Sequence, residues 1–184
     1  MKWQDESEPT PAHSIGELAA VHGLGPALDA LAASGTARVC VVMGDALRAQ
    51  IDAFLAAHPV EAGGLLLGRL HRVDRESAPI VAVERFVPGR IFEGTGVSLA
   101  LGTALWDDAR PFLDAGQVVV GWVHSHPGLG AFFSATDRHT QRAFFAQPWQ
   151  LGVCIDPLGQ DEAWFFGPES ESQGLHRADS GRSA

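Results

Sequence analysis

A mixed α/β fold, one β-sheet flanked by helices, is predicted by three observations. The chain has 184 residues and is 46% hydrophobic, enough to bury one core of domain size with modest extensions. Short apolar runs of strand length interleave along it with patterns of helical period. No stretch repeats itself at a period of roughly 20 residues or more, which removes solenoids and propellers.

Residues 1–14 are polar and hold Pro9 and Pro11, so they read as an arm. Leu18, Val21, Leu24, Leu28 and Leu31 recur at helical spacing, but Gly23, Gly25 and Pro26 interrupt the run, which predicts two short helical pieces. A strand over 38–43, a turn at Gly44 and a helix capped by Asp45 and ending before Pro59 follow. Residues 63–70 and 80–87 read as paired strands joined through a charged segment, and a glycine-rich loop covers 88–96. A helix over 98–113, with Pro111 in its last turn, precedes a buried strand over 117–125 and a helix over 135–146. Residues 149–155 and 162–166 read as a hairpin around Asp156-Pro157-Leu158-Gly159. The expected organisation is an arm with short helical pieces over 1–35, one main folded domain over 36–168, and a disordered tail over 169–184.

Composition narrows the function. Lys+Arg 13 against Asp+Glu 22 gives a net charge of -9, which repels a phosphate backbone and disfavours nucleic-acid binding. No apolar run approaches the roughly 20 residues of a bilayer span. The acidic start, Met1-Lys2-Trp3-Gln4-Asp5-Glu6, lacks the basic-then-apolar order of a secretory signal, so a cytoplasmic location is expected. Cys40 and Cys154 form no Cys-x-x-Cys and sit in apolar runs, where they read as reduced core residues. Many alanines, and one lysine among the basic residues, fit a GC-rich bacterial genome.

The informative stretch is Gly121-Trp122-Val123-His124-Ser125-His126-Pro127. Residues two apart on a strand share a side, so His124 and His126 can aim at one point. Asp137, eleven residues beyond His126 and in the first turn of a helix, supplies an oxygen ligand. Two nitrogens and one carboxylate leave the fourth position of a tetrahedral zinc to water, the pattern of hydrolytic rather than structural sites. Peptide hydrolysis also needs a general base. Glu61 stands alone among apolar and glycine residues, where a charge has no packing reason to be. Each feature has a plainer reading: His-x-His as packing, Ser134 as helix N-cap with Asp137 favoured by the helix dipole, and Glu61 as a loop residue. Trp122 is expected on the opposite side of the sheet from the histidines, in the core, and His139 on the surface.

The joint arrangement resembles a known family. Glu61 before Gly63-Gly64-Leu65-Leu66-Leu67, then His124-Ser125-His126-Pro127, six residues, Ser134, two residues and Asp137 match the JAMM (MPN-plus) zinc metalloprotease signature in order and spacing. The resemblance covers roughly residues 38–167 and is nearest to the deubiquitinases of the proteasome lid and signalosome over 121–141. It implies the MPN/JAMM fold, which is cytidine deaminase-like. It also implies zinc held by His124, His126 and Asp137, Glu61 as base, and Ser134 near the developing oxyanion. The implied reaction is cleavage after the C-terminal Gly-Gly of a ubiquitin-like protein. Family members of compact bacterial type occur beside activating-enzyme-like and conjugating-enzyme-like proteins, including in antiphage systems, which makes such proteins expected partners. The C-terminal helices of lid subunits and a second His/Cys zinc cluster are missing from the pattern. Two other readings remain open: processing of a sulfur-carrier precursor, and a non-catalytic zinc-bound interaction module. Ile91 and Phe92, in the glycine-rich loop, are expected to fold over the substrate tail, which would dock as an added strand.

Overall fold

The structure, a computed structural model, describes residues 12–89 and 103–179. In chain order the elements are β1 (Ala12–His13), α1 (Ile15–His22), α2 (Leu24–Ala33), β2 (Val39–Met43), α3 (Asp45–Ala56), β3 (Gly63–His71), β4 (Ile80–Pro88), α4 (Thr103–Asp114), β5 (Val118–Ser125), α5 (Ala135–Phe144), β6 (Leu151–Asp156), β7 (Asp161–Phe166) and β8 (Leu175–Asp179). One mixed sheet runs in the order β7-β6-β5-β3-β4-β2-β8, with β1 added against β3.

Alternation along the strands sets the two faces. Val39 and Val41 of β2 pack with Ile51 and Leu55 of α3 on one face. Cys40 and Val42, one residue out of phase, pack with Leu18 of α1 and with Ala27 and Ala30 of α2 on the other. Leu65 and Leu67 of β3 join Leu105, Trp106 and Ala109 of α4 on this second face. Removing a leucine or valine side chain of this kind from water contributes about 1.5–3 kcal/mol, so helices on both faces are what makes a sheet of such apolar strands stable.

The expected helical pieces are α1 and α2, divided at Gly23 alone. Gly25 and Pro26 lie inside the first turn of α2, where a missing N–H costs nothing. The N-cap of α3 is Gly44 rather than Asp45, which occupies the first helical position. No packing boundary separates 12–35 from the rest, because Leu18, Ala27 and Ala30 share a core with β2 and β4. The buried His71 also donates from Nδ1 to Ser14 O at 2.8 Å.

The stretch after Pro168, expected to be disordered, instead carries β8 in parallel register with β2 from Val39↔Leu175 to Met43↔Asp179. Its hold is main-chain pairing and charge rather than apolar alternation. Arg177 pairs with Glu162 and lies over the Trp164 ring, while His176 Nε2 meets Asp29 Oδ2 at 3.0 Å. Neither leaves a periodic trace in sequence. Residues 91 and 92, and the glycine-rich loop from residue 90 onward, lie outside the described residues.

Candidate metal centre

Strand β5 ends in the middle of the sheet, between β3 and β6, and delivers His124 and His126 at its carboxyl end. Both are 2% exposed. They reach the same place because they are two residues apart on extended backbone. Their rings lie 4.8 Å apart, edge to face.

Asp137 arrives from another segment. Ser134 caps α5, its Oγ accepting from Asp137 N at 3.2 Å, while Ser134 N donates to Asp137 Oδ2 at 2.7 Å. This reciprocal capping box fixes the carboxylate with its two oxygens near one histidine each. Asp137 Oδ1 is 3.4 Å from His124 Nε2, and Oδ2 is 3.6 Å from His126 Nε2. Capping and metal ligation are therefore compatible for this residue.

Glu61 arrives from the α3–β3 connection, with Oε1 3.6 Å from His126 Nε2. Its neighbour Ala62 is clamped to Ser125. Ser125 N donates to Ala62 O at 2.8 Å, and Ala62 N donates to Ser125 Oγ at 3.1 Å. The approach depends on Gly63, paired with His124. A Cβ there would run into Val123 O and lie 2.8 Å from His124 Cα.

The electrostatics suit a cation. Burial, and then the neighbouring His124, push the His126 pKa down, favouring the neutral, metal-binding imidazole. Burial opposes the charge on Asp137, but His124 and Ser134 outweigh it and hold its carboxyl at about 2. Both nitrogens of His124 and Nδ1 of His126 are buried without a hydrogen-bond partner among the described residues. Buried polar atoms are normally satisfied; with His124 Nε2 facing Asp137 and His126 Nε2 facing both Asp137 and Glu61, these side chains form a donor set that fits one zinc ion.

Four further residues shape the site. Trp122 shares the face of His124 and stacks on it, ring centroids 4.5 Å apart and planes 10° from parallel. This corrects the expectation that it faces away: two residues separate 122 from 124, and the period-two rule itself puts them together. The indole Nε1 donates to Gln141 Oε1 at 2.7 Å. The amide nitrogen of Gln141 donates to Gln150 O and Gly167 O, both at 3.2 Å. Gln141 lies one helical turn beyond Asp137, a spacing that puts both on one side of α5.

Asp156, read from sequence only as a turn residue, accepts from Gly128 N at 2.8 Å and Gly130 N at 2.9 Å, and from Leu158 N and Gly159 N in its own turn. It thereby holds the loop after His126. Cys154, expected as a reduced core residue, is fully buried and in register with His124. Burial pushes its thiol up to about 12. His139 is exposed, as expected.

A mixed sheet with helices on both faces, gathering two histidines and two carboxylates at the end of a central strand, makes an α/β domain with a candidate metal centre. The chain belongs to the JAB-domain family: the model of prokaryotic homologs of the JAB domain matches residues 44–166. It is 30% identical over 151 residues to the 26S proteasome non-ATPase regulatory subunit 14 of Dictyostelium discoideum, a match covering 79% of this chain and 47% of that one. It is 33% identical over 108 residues to the ubiquitin carboxyl-terminal hydrolase RPN11 of Saccharomyces cerevisiae, covering 56% of this chain and 33% of that one. The chain thus spans half or less of the length of these curated relatives. The solution structure of a Desulfitobacterium hafniense protein matches the fold with a TM-score of 0.55 at 21% identity, covering 76% of this chain and 93% of that one. Among the described residues no helix is long and apolar enough to cross a membrane.

Proposed function

We propose that this protein is a zinc-dependent isopeptidase that cleaves after the C-terminal Gly-Gly of a ubiquitin-like protein. The observation that carries the reading is the convergence of Glu61, His124, His126 and Asp137 from three separate segments, each within 3.6 Å of another member. Kinship with a ubiquitin carboxyl-terminal hydrolase supports the bond class.

In this reading His124, His126 and Asp137 hold zinc. When bound, the metal supplies a water of lowered pKa and polarises the scissile carbonyl. Glu61 takes the proton of the attacking water and delivers it to the leaving amine, a general base that becomes a general acid. Ser134 donates its hydroxyl hydrogen to the oxyanion as charge develops there. The carboxylate of Asp137 stays ionised throughout, because its N-cap contacts stabilise the charged form.

The segments that carry Glu61 and His126 also expose apolar side chains. Val60 is 55%, Leu129 66% and Phe132 47% exposed, with the Phe132 ring 4.9 Å from that of His126. Apolar surface beside such a centre suits the body of a protein substrate. We assign Ile91 and Phe92 to contact with its tail on the sequence alone.

The test is cleavage of a ubiquitin-like protein fused through Gly-Gly to a reporter amine. It is run with zinc-loaded protein, with chelated protein and with Glu61→Gln. A sulfur-carrier precursor assayed beside the fusion separates deconjugation from precursor processing. Cleavage that persists after the metal is stripped would overturn the reading.

A further inference from the structure

Glu61 lies on irregular backbone, outside any helix or strand, two residues before β3 begins. No strand pairing of its own therefore fixes it. The hold comes from Ser125, which stands between the two histidines. Alternation turns its side chain to the opposite face of β5 from theirs, and it is fully buried. Its contacts converge on one residue. Ser125 N donates to Ala62 O at 2.8 Å, while its Oγ accepts from Ala62 N at 3.1 Å and donates to Ala62 O at 3.3 Å. A hydroxyl both accepts and donates on one short arm. Alanine at this position would leave the buried N–H of Ala62 without that partner.

We propose that Ser125 is a positioning residue for the general base: by holding both main-chain polar groups of Ala62, it fixes the Glu61 carboxylate on the histidine side of the site. The inference rests on the reading of Glu61 as base. One peptide unit separates the brace from Glu61, whose Oε1 is 3.6 Å from His126 Nε2. A shift of Ala62 is therefore carried to the carboxylate, and misplacing a reacting group by about 1 Å costs about a hundredfold in rate. In this role Ser125 touches neither metal nor substrate, so its loss should weaken proton transfer and leave metal binding and substrate docking alone. A serine that only fills the strand would show no such selectivity.

The test is a double-variant cycle with the zinc-loaded full chain on the Gly-Gly reporter fusion. Ser125→Ala should lower kcat about ten- to a hundredfold with KM and zinc content unchanged. Added to Glu61→Gln, it should lower kcat little further, because the base it places is already lost and the two effects are not independent. A second measurement needs neither metal nor turnover. In metal-free protein the Ala62 amide should be protected from hydrogen exchange, and it should exchange about tenfold faster in Ser125→Ala. Wild-type kcat in Ser125→Ala, an equal fall in both backgrounds, or an unprotected Ala62 amide in the wild type overturns the proposal and leaves Glu61 standing as base. Wild-type kcat in Glu61→Gln overturns both.

Discussion

The Trp122 indole and the His124 imidazole form a parallel stack, and the indole N–H is held by Gln141 Oε1. The glutamine is fully buried, and its position leaves no room for change. A Cβ at Gly152 would lie 2.6 Å from Gln141 Oε1 and 2.5 Å from Phe133 Cζ. The orientation of one histidine of the candidate centre is thus set by an aromatic plate bolted to α5.

Trp122→Phe should keep most of the stack but leave Gln141 Oε1 without its donor. An unsatisfied buried acceptor costs about 1–3 kcal/mol, so denaturant unfolding should show a loss of that size. Zinc affinity should also drop, because the ring stacked on His124 is no longer tethered to α5 through Gln141. Unchanged unfolding and unchanged affinity together would show that the stack is passive packing.

Glu61→Gln should retain full metal content and lower cleavage about a hundred- to ten-thousand-fold, the contribution of a positioned acid–base group. Glutamine keeps the shape but cannot take a proton. Wild-type turnover in this variant would remove Glu61 from the chemistry.

His124→Ala, His126→Ala and Asp137→Ala should each lose zinc, measured by elemental analysis after dialysis, and chelators should abolish cleavage. Asp137→Ala should also weaken the start of α5, since it removes the half of the capping box that receives Ser134 N. Any of the three retaining stoichiometric zinc would not be a ligand.

Gly63→Ala tests how closely β3 must approach β5. Its Cβ would meet the backbone of Val123 and His124, and backbone cannot swing aside as a side chain can. Overpacking of this kind costs about 1–3 kcal/mol, read as a lower unfolding midpoint, and should move Glu61 away from His126 so that kcat falls further than stability alone explains.

Asp156 links pH to the loop that follows His126. Hydrogen bonds from Gly159 and Gly128, and then Gly130 and Leu158, outweigh its desolvation and hold the carboxyl at about 2. Its ordinary value is about 3.9. A carboxyl whose pKa is depressed in the folded state contributes stability that is complete above the unfolded value and lost as pH falls through the folded one. The melting-temperature difference between wild type and Asp156→Asn should therefore be largest above about pH 5 and shrink between about pH 4 and pH 2. A difference constant across that range would mean that the contacts do not depend on the charge.

Much of the site was legible because its chemistry is local in sequence. His-x-His on a strand, a Ser-x-x-Asp helix start and an isolated glutamate before a glycine-rich apolar run state their residue types and spacings directly. Strand and helix periods likewise placed β2 through β7 within a few residues, since burying one face imposes a periodic pattern. Sequence alone could not bring Glu61 to His126, which takes the clamp between Ala62 and Ser125, strands distant in the chain. Nor could it show Asp156 gathering four backbone N–H groups, because such partners have no side-chain identity to read. β8 escaped for a related reason: main-chain pairing to β2 and the contacts of Arg177 with Glu162 and Trp164 hold it, and these exist only once β2 and β7 are in place. Cys154 shows the same division most sharply. Its apolar surroundings were written in the sequence, but strand order alone put it in register with His124.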